Sequence, residues 1–319
     1  MRYTPIGDYY RRRFGCRVYK VSVSTAHSCP NREGLGGASV CIFCDGWGSA
    51  AYHELAGRPF REQFRVNRER IRARYRAEKF LVYFQAYTNT FDRISRMEAL
   101  FAEALAEEDV VGVVLGTRPD CLPGRVMGFL AKQAGDHFVS VELGVQTLDD
   151  DQLRFLSRGH DSACSLAALE KLRTVPEIDV CAHLIFGIPG ESDDQLRETA
   201  RLLSEAGVHG VKLHNLHVLR GTPLEEQYRS GKFSPVGLQE YARKVGVFLE
   251  HLSPGIAVHR LAAVASRWDE VVAPEWVKGK MGPTQFIRDY LVQKDTWQGK
   301  YYLPHTRSPH FPAALGAAT

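Results

Sequence analysis

Nowhere in the 319 residues does an apolar run approach the roughly 20 residues that a membrane-crossing helix requires; the longest, such as residues 110–115, fall far short. The opening segment MRYTPIGDYYRRRFG lacks the apolar centre of a secretion signal, which points to a cytoplasmic protein with no membrane partner. Disorder is not indicated, because 44% apolar and 24% charged residues are ordinary for a folded chain. No low-complexity linker divides the sequence, so a single catalytic domain with short additions at its ends is expected. Cysteine is sparse and odd in number, 7 in all and unevenly spread, and a chain this large has little use for disulfides. Metal or redox chemistry explains such cysteines better. The net charge of +4 permits a polyanionic partner without requiring one.

What the chain does contain is a repeated alternation of β-branched runs and amphipathic segments. Strands are expected at 17–24, 80–85, 110–116, 138–145, 180–187 and 210–219. Helices are expected at 59–77, 94–107, 124–133, 149–157, 162–174, 193–206 and 235–252. A weak further strand lies near 257–261. The series fits an α/β fold, a partial (β/α)6 TIM-like barrel better than a closed eightfold one. Its core would span 17–267, with an N-terminal extension at 1–16 and a C-terminal extension at 268–319. In parallel folds of this kind, reactive residues gather at the carboxyl ends of the strands.

Directly after the first expected strand runs HSCPNREGLGGASVCIFCD. In it Cys29 is followed by eleven residues, Cys41, two residues and Cys44. Three thiolates on a cubane cluster leave one iron open for a cofactor or substrate, whereas a pure electron carrier closes all four sites. Gly34, Gly36 and Gly37 would let the loop turn tightly. A structural zinc site using the same cysteines with His27 is the competing reading. The other cysteines are scattered, with no second cluster motif.

Polar residues recur at other strand ends: Thr117, Arg118 and Asp120, then His183, then Lys212, His214 and His217, then His259 and Arg260. Lys212 and His214 are two residues apart and face one side, expected to be the barrel interior, where polar groups are costly unless used or satisfied. Singly, each histidine could equally be a hydrogen-bonded core residue. Lys212, His214, His183 and Tyr87 are the candidate catalytic groups, and Tyr87 or Cys121 could relay a hydrogen atom. Arginines at helical spacing between 58 and 79, and the segment YYRRRFGCRVYK, could neutralise phosphates. They could equally be solvated faces with acid partners such as Glu62 and Glu69.

With Cys29, Cys41, Phe43 and Cys44 in place, the chain resembles the radical S-adenosylmethionine (SAM) superfamily, in which an aromatic residue precedes the last cysteine and packs near the cofactor. The gap of eleven is similar to the longer gaps of the elongator-like branch, and in particular to the bacterial YhcC-type family. CPNREG, YFQAYTNTF, GTRPDCLP, ELGVQT, SRGHD, HLIFGIPGE and KLHNLHVLRGTPL carry that likeness along most of the chain.

The resemblance implies a radical SAM barrel in which Cys29, Cys41 and Cys44 hold a 4Fe-4S cluster. An external one-electron reductant such as flavodoxin or ferredoxin would drive cleavage of SAM to a 5'-deoxyadenosyl radical. It places Gln146 at the ribose, Arg158 at the methionyl carboxylate and the Gly187 to Glu191 turn against the adenine. Glu142, facing the same side as Gln146, is expected among the cofactor-binding residues. The superfamily's Gly-Gly-Glu signature is absent. QAYTNT stands there, so Gln85, Tyr87 or Thr88 would meet the cofactor's amino group, or Tyr87 and Thr88 merely close the strand. The branch implies a tRNA substrate, modified on the wobble-uridine side chain. Acetyl transfer and methylthiolation are not expected, because the acetyltransferase domain and second cluster they require are not seen. The rivals are a radical enzyme of small metabolites and a non-catalytic, zinc-stabilised RNA-binding protein.

Overall fold

In the computed structural model, residues 1–48, 53–263, 268–279 and 281–304 are described. The expected end of the core at 264–267 and the expected tail at 305–319 lie outside them. Parallel strands β1 (Val18–Ser24), β2 (Lys79–Gln85), β3 (Val110–Thr117), β4 (Phe138–Gln146), β5 (Ile178–Phe186) and β6 (Gly210–Asn215) pair in chain order. After β7 (Val218–Leu219), which leaves this sheet, β8 (Ala257–Arg260) adds the seventh strand beside β6. The weak strand signal near 257–261 thus completes the sheet. The expected strand at 210–219 is broken: Leu216 N donates to Phe186 O at 2.9 Å, and β7 turns away to pair antiparallel with β9 (Val271–Ala273).

The helices are α1 (Ile6–Phe14), α2 (Phe60–Tyr75), α3 (Ile94–Leu105), α4 (Gly124–Asp136), α5 (Asp150–Phe155), α6 (Ser162–Arg173), α7 (Asp193–Ala206), α8 (Pro223–Arg229), α9 (Leu238–His251) and α10 (Gly282–Gln293). Sequence reasoning missed α1 and α10, which lie in the terminal extensions, and the short α8. Helix α7 starts where a local signal says it should: Ser192 and Gln195 form a reciprocal capping box, and Gly207 closes the other end at φ 72°.

Strand alternation separates a dry face from a polar one. Val139, Val141, Leu143 and Val145 of β4 are fully buried in the main core, as are Phe80, Val82 and Phe84 of β2. They meet Phe60 and Phe64 of α2, Phe101 of α3 and Phe129 of α4, with the Phe101 ring 5.7 Å from Phe84 and 5.0 Å from Phe129. Each fully buried side chain of this size stabilises the fold by about 1.5–3 kcal/mol. Phe101→Ala would cost about 3–5 kcal/mol. The opposite face of the same strands lines the inside of a curled half barrel.

Residues 1–16 do more than extend the chain. Val258 N donates to Thr4 O at 2.7 Å, and α1 contacts both edge strands, β1 and β8. Tyr10 is buried beside Lys20 and His259, and Tyr9 Oη donates to Asp179 Oδ2 at 2.6 Å. Helix α1 therefore fills the seam that the unpaired edges leave. At the other end, α10 packs on α9 through Ile287 and Leu291.

Candidate active site

The loop after β1 carries the three cysteines at the carboxyl end of the sheet. It is tied to the barrel by Ile42 N donating to Leu156 O at 3.2 Å and by Leu224 N donating to Ile42 O at 3.0 Å. Gly34, Gly36 and Gly37 all take left-handed φ, between 64° and 76°, which a side chain would resist. Phe43 packs partly buried against the small apolar cluster of Ile42, Leu156, Ile185 and Leu224. Arg158 Nη1 lies 3.4 Å from Cys41 Sγ, Arg32 Nη2 is 3.4 Å from Cys44 Sγ, and Asn31 Nδ2 is 3.4 Å from Cys41 Sγ. Guanidinium groups beside sulfurs favour the thiolate form that metal binding requires. Without metal, burial outweighs Arg32 and pushes the Cys44 thiol up to about 11.

His27, which the zinc reading needs, places Nε2 2.8 Å from Arg96 Nη2. A guanidinium can only donate, so that nitrogen's lone pair is already engaged. The zinc reading loses its fourth ligand in this arrangement.

Opposite the cysteines, the QAYTNT segment makes a strained turn. Ala86 and Tyr87 both sit at positive φ, 67° and 52°, at a cost of about 1–3 kcal/mol each. Asn89 holds the turn: its Nδ2 donates to the carbonyls of Phe84 at 3.0 Å, Ala86 at 3.2 Å and Gly116 at 3.0 Å. Sequence reasoning passed over Asn89 because three carbonyls from two strands are not adjacent in sequence. Tyr87 leans on the cysteine loop, its Oη donating to Gly46 O at 2.8 Å and its ring centroid 5.2 Å from the Arg32 guanidinium. Thr88 is buried.

Gln85 Nε2, Asn31 Oδ1, Arg158 Nε and Arg118 Nη1 are buried without a hydrogen-bond partner. Orphaned polar atoms are rare in native structures, and four of them around one loop are what a polar cofactor would satisfy. Gln146, also at positive φ (69°), lies beside them. A Cβ on Gly144 would stand 2.9 Å from Gln146 Nε2 and 3.2 Å from Arg158 Nη2, so only glycine permits their approach. Arg158 Nη2 donates to Gly144 O at 2.9 Å. Arg118 forks onto Asp120 at 2.9 and 2.7 Å; burial would raise the Asp120 carboxyl, but the fork holds it below its usual range. Cys121, beside Asp120, has its thiol pushed up to about 12 by burial and then by that carboxylate.

The inside of the half barrel is a charged network centred on Glu142, whose side chain is 0% exposed. Lys20 Nζ contacts its Oε1, while Lys212 Nζ at 2.7 Å and His183 Nε2 at 2.6 Å share its Oε2. Burial acts to raise the Glu142 carboxyl, but Lys20, Lys212 and His183 together hold it well below the usual range. Burial pushes His183 down to about 3, helped by Lys212, and His259 to about 4, helped by Lys20. His214 is pushed well down by burial and then by Arg260, so these rings are neutral at pH 7. Glu142, Cys181 and His183 bring ligand atoms within 4.8 Å of one another. Two lysines on the same carboxylate make that trio a poor home for a cation. Lys20 was overlooked because its partner lies 122 positions further along the chain.

In the GIPGE turn, Gly187 has φ 86°, and a Cβ there would meet Val236 Cγ1 at 2.5 Å. Glu191 accepts from Gly187 N at 2.9 Å and pairs with Lys244 Nζ at 3.2 Å, so this carboxylate braces the turn's own backbone. His217 Nδ1 is 3.1 Å from Asn215 O.

Arginines at and just before the basic helix α2 are paired partly within it and partly with acids of α3 and the segment after α3. Arg58 pairs with Glu62, Arg61 with Glu103 at 3.0 Å, Arg68 with Glu107 at 3.1 Å and Asp109 at 3.3 Å, and Arg72 with Glu69 at 2.8 Å. The solvated-face reading of these arginines thus has its acid partners, and Glu62 and Glu69 are among them.

The family described as the radical SAM superfamily matches residues 23–203, and a Radical_SAM C-terminal domain matches 208–293. The chain belongs to this superfamily, whose members are enzymes that use a 4Fe-4S cluster and SAM. It is 34% identical over 301 residues to the uncharacterised protein YtqA of Bacillus subtilis (strain 168), covering 94% of this chain and 93% of YtqA. Protein YhcC of Escherichia coli (strain K12) is 33% identical over 300 residues, covering 92% of this chain and 95% of YhcC. The chain therefore groups with the YhcC-type family.

The archaeal Elp3 of Methanocaldococcus infernus shares the fold, with a TM-score of 0.66 at 18% identity over 88% of this chain and 64% of that one. The chain thus spans less than two thirds of that Elp3. A tRNA uridine(34) acetyltransferase of Dehalococcoides mccartyi (strain CBDB1) is 32% identical over 141 residues, 43% of this chain and 30% of that protein. Among the described residues no helix is long and apolar enough to cross a membrane.

Proposed function

We propose that Cys29, Cys41 and Cys44 hold the cluster of a radical enzyme that modifies the wobble-uridine side chain of tRNA. The observation that supports the cluster assignment is the pairing of Arg158 with Cys41 and of Arg32 with Cys44 on a loop ringed by orphaned polar atoms. When bound, the cluster and SAM supply a 5'-deoxyadenosyl radical after one-electron reduction by an external donor such as flavodoxin or ferredoxin.

The chain's own residues then have distinct tasks. Arg158 offers its free Nε to the methionyl carboxylate, a geometry that suits a guanidinium. Gln146 would hold the ribose, Gln85 and Tyr87 the amino group, and the Gly187 turn the adenine, with Phe43 on the cluster side. Glu142 and Glu191 are positioning residues: the first holds Lys212 and His183 in place, and the second holds the turn. Lys212, His214 and His183 line the space a substrate would enter. The tRNA reading is supported by the partial match, over 141 residues, to a relative whose name specifies tRNA uridine(34).

The test begins with anaerobic purification, quantifying iron, sulfide and zinc and following 5'-deoxyadenosine on reduction with SAM. The wild-type protein should carry a 4Fe-4S cluster and release 5'-deoxyadenosine, and the C29A/C41A/C44A variant should do neither. Zinc in place of iron, with SAM left intact, would overturn the cluster assignment. The holoenzyme should then bind tRNA with an affinity that falls linearly with salt on logarithmic axes, and should change its wobble nucleoside as read by mass spectrometry. Radical formation without tRNA binding would leave a small-metabolite enzyme.

A further inference from the structure

Among the described residues the interior of the half barrel carries three cations, Lys20, Lys212 and Arg260, against two carboxylates, Glu142 and Asp179. Lys20 and Lys212 share Glu142. Asp179, the other inward carboxylate, accepts from Tyr9 Oη and Ser140 Oγ, each at 2.6 Å, near the amino end of β5. Arg260 on β8 has no carboxylate partner among the described residues. Its Nη2 meets His214, with Nδ1 at 2.7 Å, and its Nε donates to Leu213 O at 3.4 Å. Nη1 has no hydrogen-bond partner among the described residues. The histidines nearby supply no counter-charge: His214 and His183 are neutral, held so by burial and by the cations themselves.

A half-buried guanidinium without a counter-ion is costly to hold, and a bound anion would relieve that cost. Position adds to the argument. Lys212 and Arg260 are register partners on neighbouring parallel strands, and Arg260 extends from there to His214 at the carboxyl end of β6. Leu216 and Val218, just past the end of β6, pack in one apolar cluster with Ile42 and Phe43 of the cysteine loop, so this end of β6 adjoins that loop. A planar guanidinium with an open edge matches the two oxygens of an oxyanion.

We propose that Arg260, backed by Lys212, receives an oxyanion of the substrate, a carboxylate or a phosphate group, inside the half barrel beside the cysteine loop. The inference rests on the reading of that interior as the substrate chamber, but binding of the anion itself requires neither tRNA nor radical formation. Arg260 would orient the substrate relative to the cofactor, and neutral His214 would hold the guanidinium in place.

The experiment titrates the full-length, cluster-reconstituted protein with sodium acetate, inorganic phosphate or sodium chloride at matched ionic strength and follows the melting temperature. A ligand that binds only the folded state raises that temperature with saturation. The wild-type protein should respond to acetate, to phosphate or to both beyond the chloride control. Acetate alone would assign a carboxylate, phosphate alone a phosphate group, and both the shared oxyanion chemistry. R260Q should weaken the apparent affinity on the order of ten-fold or more, and R260K, which keeps the charge but loses the fork, should weaken it less.

A wild-type response no larger than that to chloride, or an affinity unchanged in R260Q, overturns the proposal. If R260Q does not fold, an unchanged affinity in R260K overturns it instead. Iron content and 5'-deoxyadenosine release by the wild-type protein report separately on the radical reading, so the two can fail independently.

Discussion

Replacing Glu142 by Gln removes the one carboxylate that Lys20 and Lys212 share while leaving shape and volume nearly intact. Its side chain is 0% exposed and those of the lysines are 17% and 16% exposed, so solvent screens the three groups little. Removing one partner of such a buried pair costs about 3–5 kcal/mol, chiefly because the remaining charges are stranded. The pH dependence of the loss identifies its cause. In the wild-type protein burial lowers Lys20, but Glu142 outweighs it and the pKa is raised; that contribution is fully present below the unfolded value of about 10.4 and lost above it.

Lys212 is lowered, by burial first, so its contribution lies below the unfolded value, where stability rises with pH, while Lys20 adds no slope between pH 7 and 9. In E142Q both lysines fall below the unfolded value. The unfolded chain then binds more protons, and stability rises with pH by up to about 1.4 kcal/mol per unit for each lysine. Urea unfolding of the two proteins at pH 7, 8 and 9, with m-values compared, measures this directly. A loss below about 1 kcal/mol at pH 7, or pH profiles that run parallel, would refute the account of Glu142 as the hub of the interior.

Acid should weaken the wild-type fold before its carboxylates titrate. His183 and His259 have folded values of about 3 and 4, so below the unfolded value of about 6.5 the unfolded state takes up protons that the folded state refuses. Stability should fall by up to about 1.4 kcal/mol per pH unit for each ring, and a urea midpoint unchanged between pH 7 and 5 would count against it. Gly144→Ala should push Gln146 and Arg158 apart and weaken SAM binding on the order of ten-fold, measured by calorimetry, with only a small drop in melting temperature. Asn89→Ala should cost about 1–3 kcal/mol by leaving buried carbonyls unsatisfied. It should also weaken SAM binding as the Tyr87 turn relaxes; full SAM affinity in N89A would show that the turn does not support the cofactor site.

Reading the chain in one dimension recovered what depends on near neighbours. The outer face of each strand is legible because successive side chains alternate sides, as Val139, Val141, Leu143 and Val145 do. The three cysteines and their glycines are legible because one short loop carries them all. The break after Asn215 was not legible, because residues 210–219 keep a β-rich composition while Leu216 is drawn to Phe186 on the neighbouring strand. On α2, Arg58 and Glu62 could be paired by their helical spacing. Arg68 and Asp109 could not, since they meet only when the next strand unit folds back.

The sequence by itself thus determined the layered architecture and the gathering of three cysteines on one loop at a strand end, since periodicity and local spacing are enough for both. Only the tertiary structure decided the charges: that Glu142 serves Lys20 and Lys212, that His27 is taken by Arg96, and that Arg260 meets His214 and no acid among the described residues. Electrostatic partnership depends on distance through space, and in a curled sheet that distance is set by strands far apart along the chain.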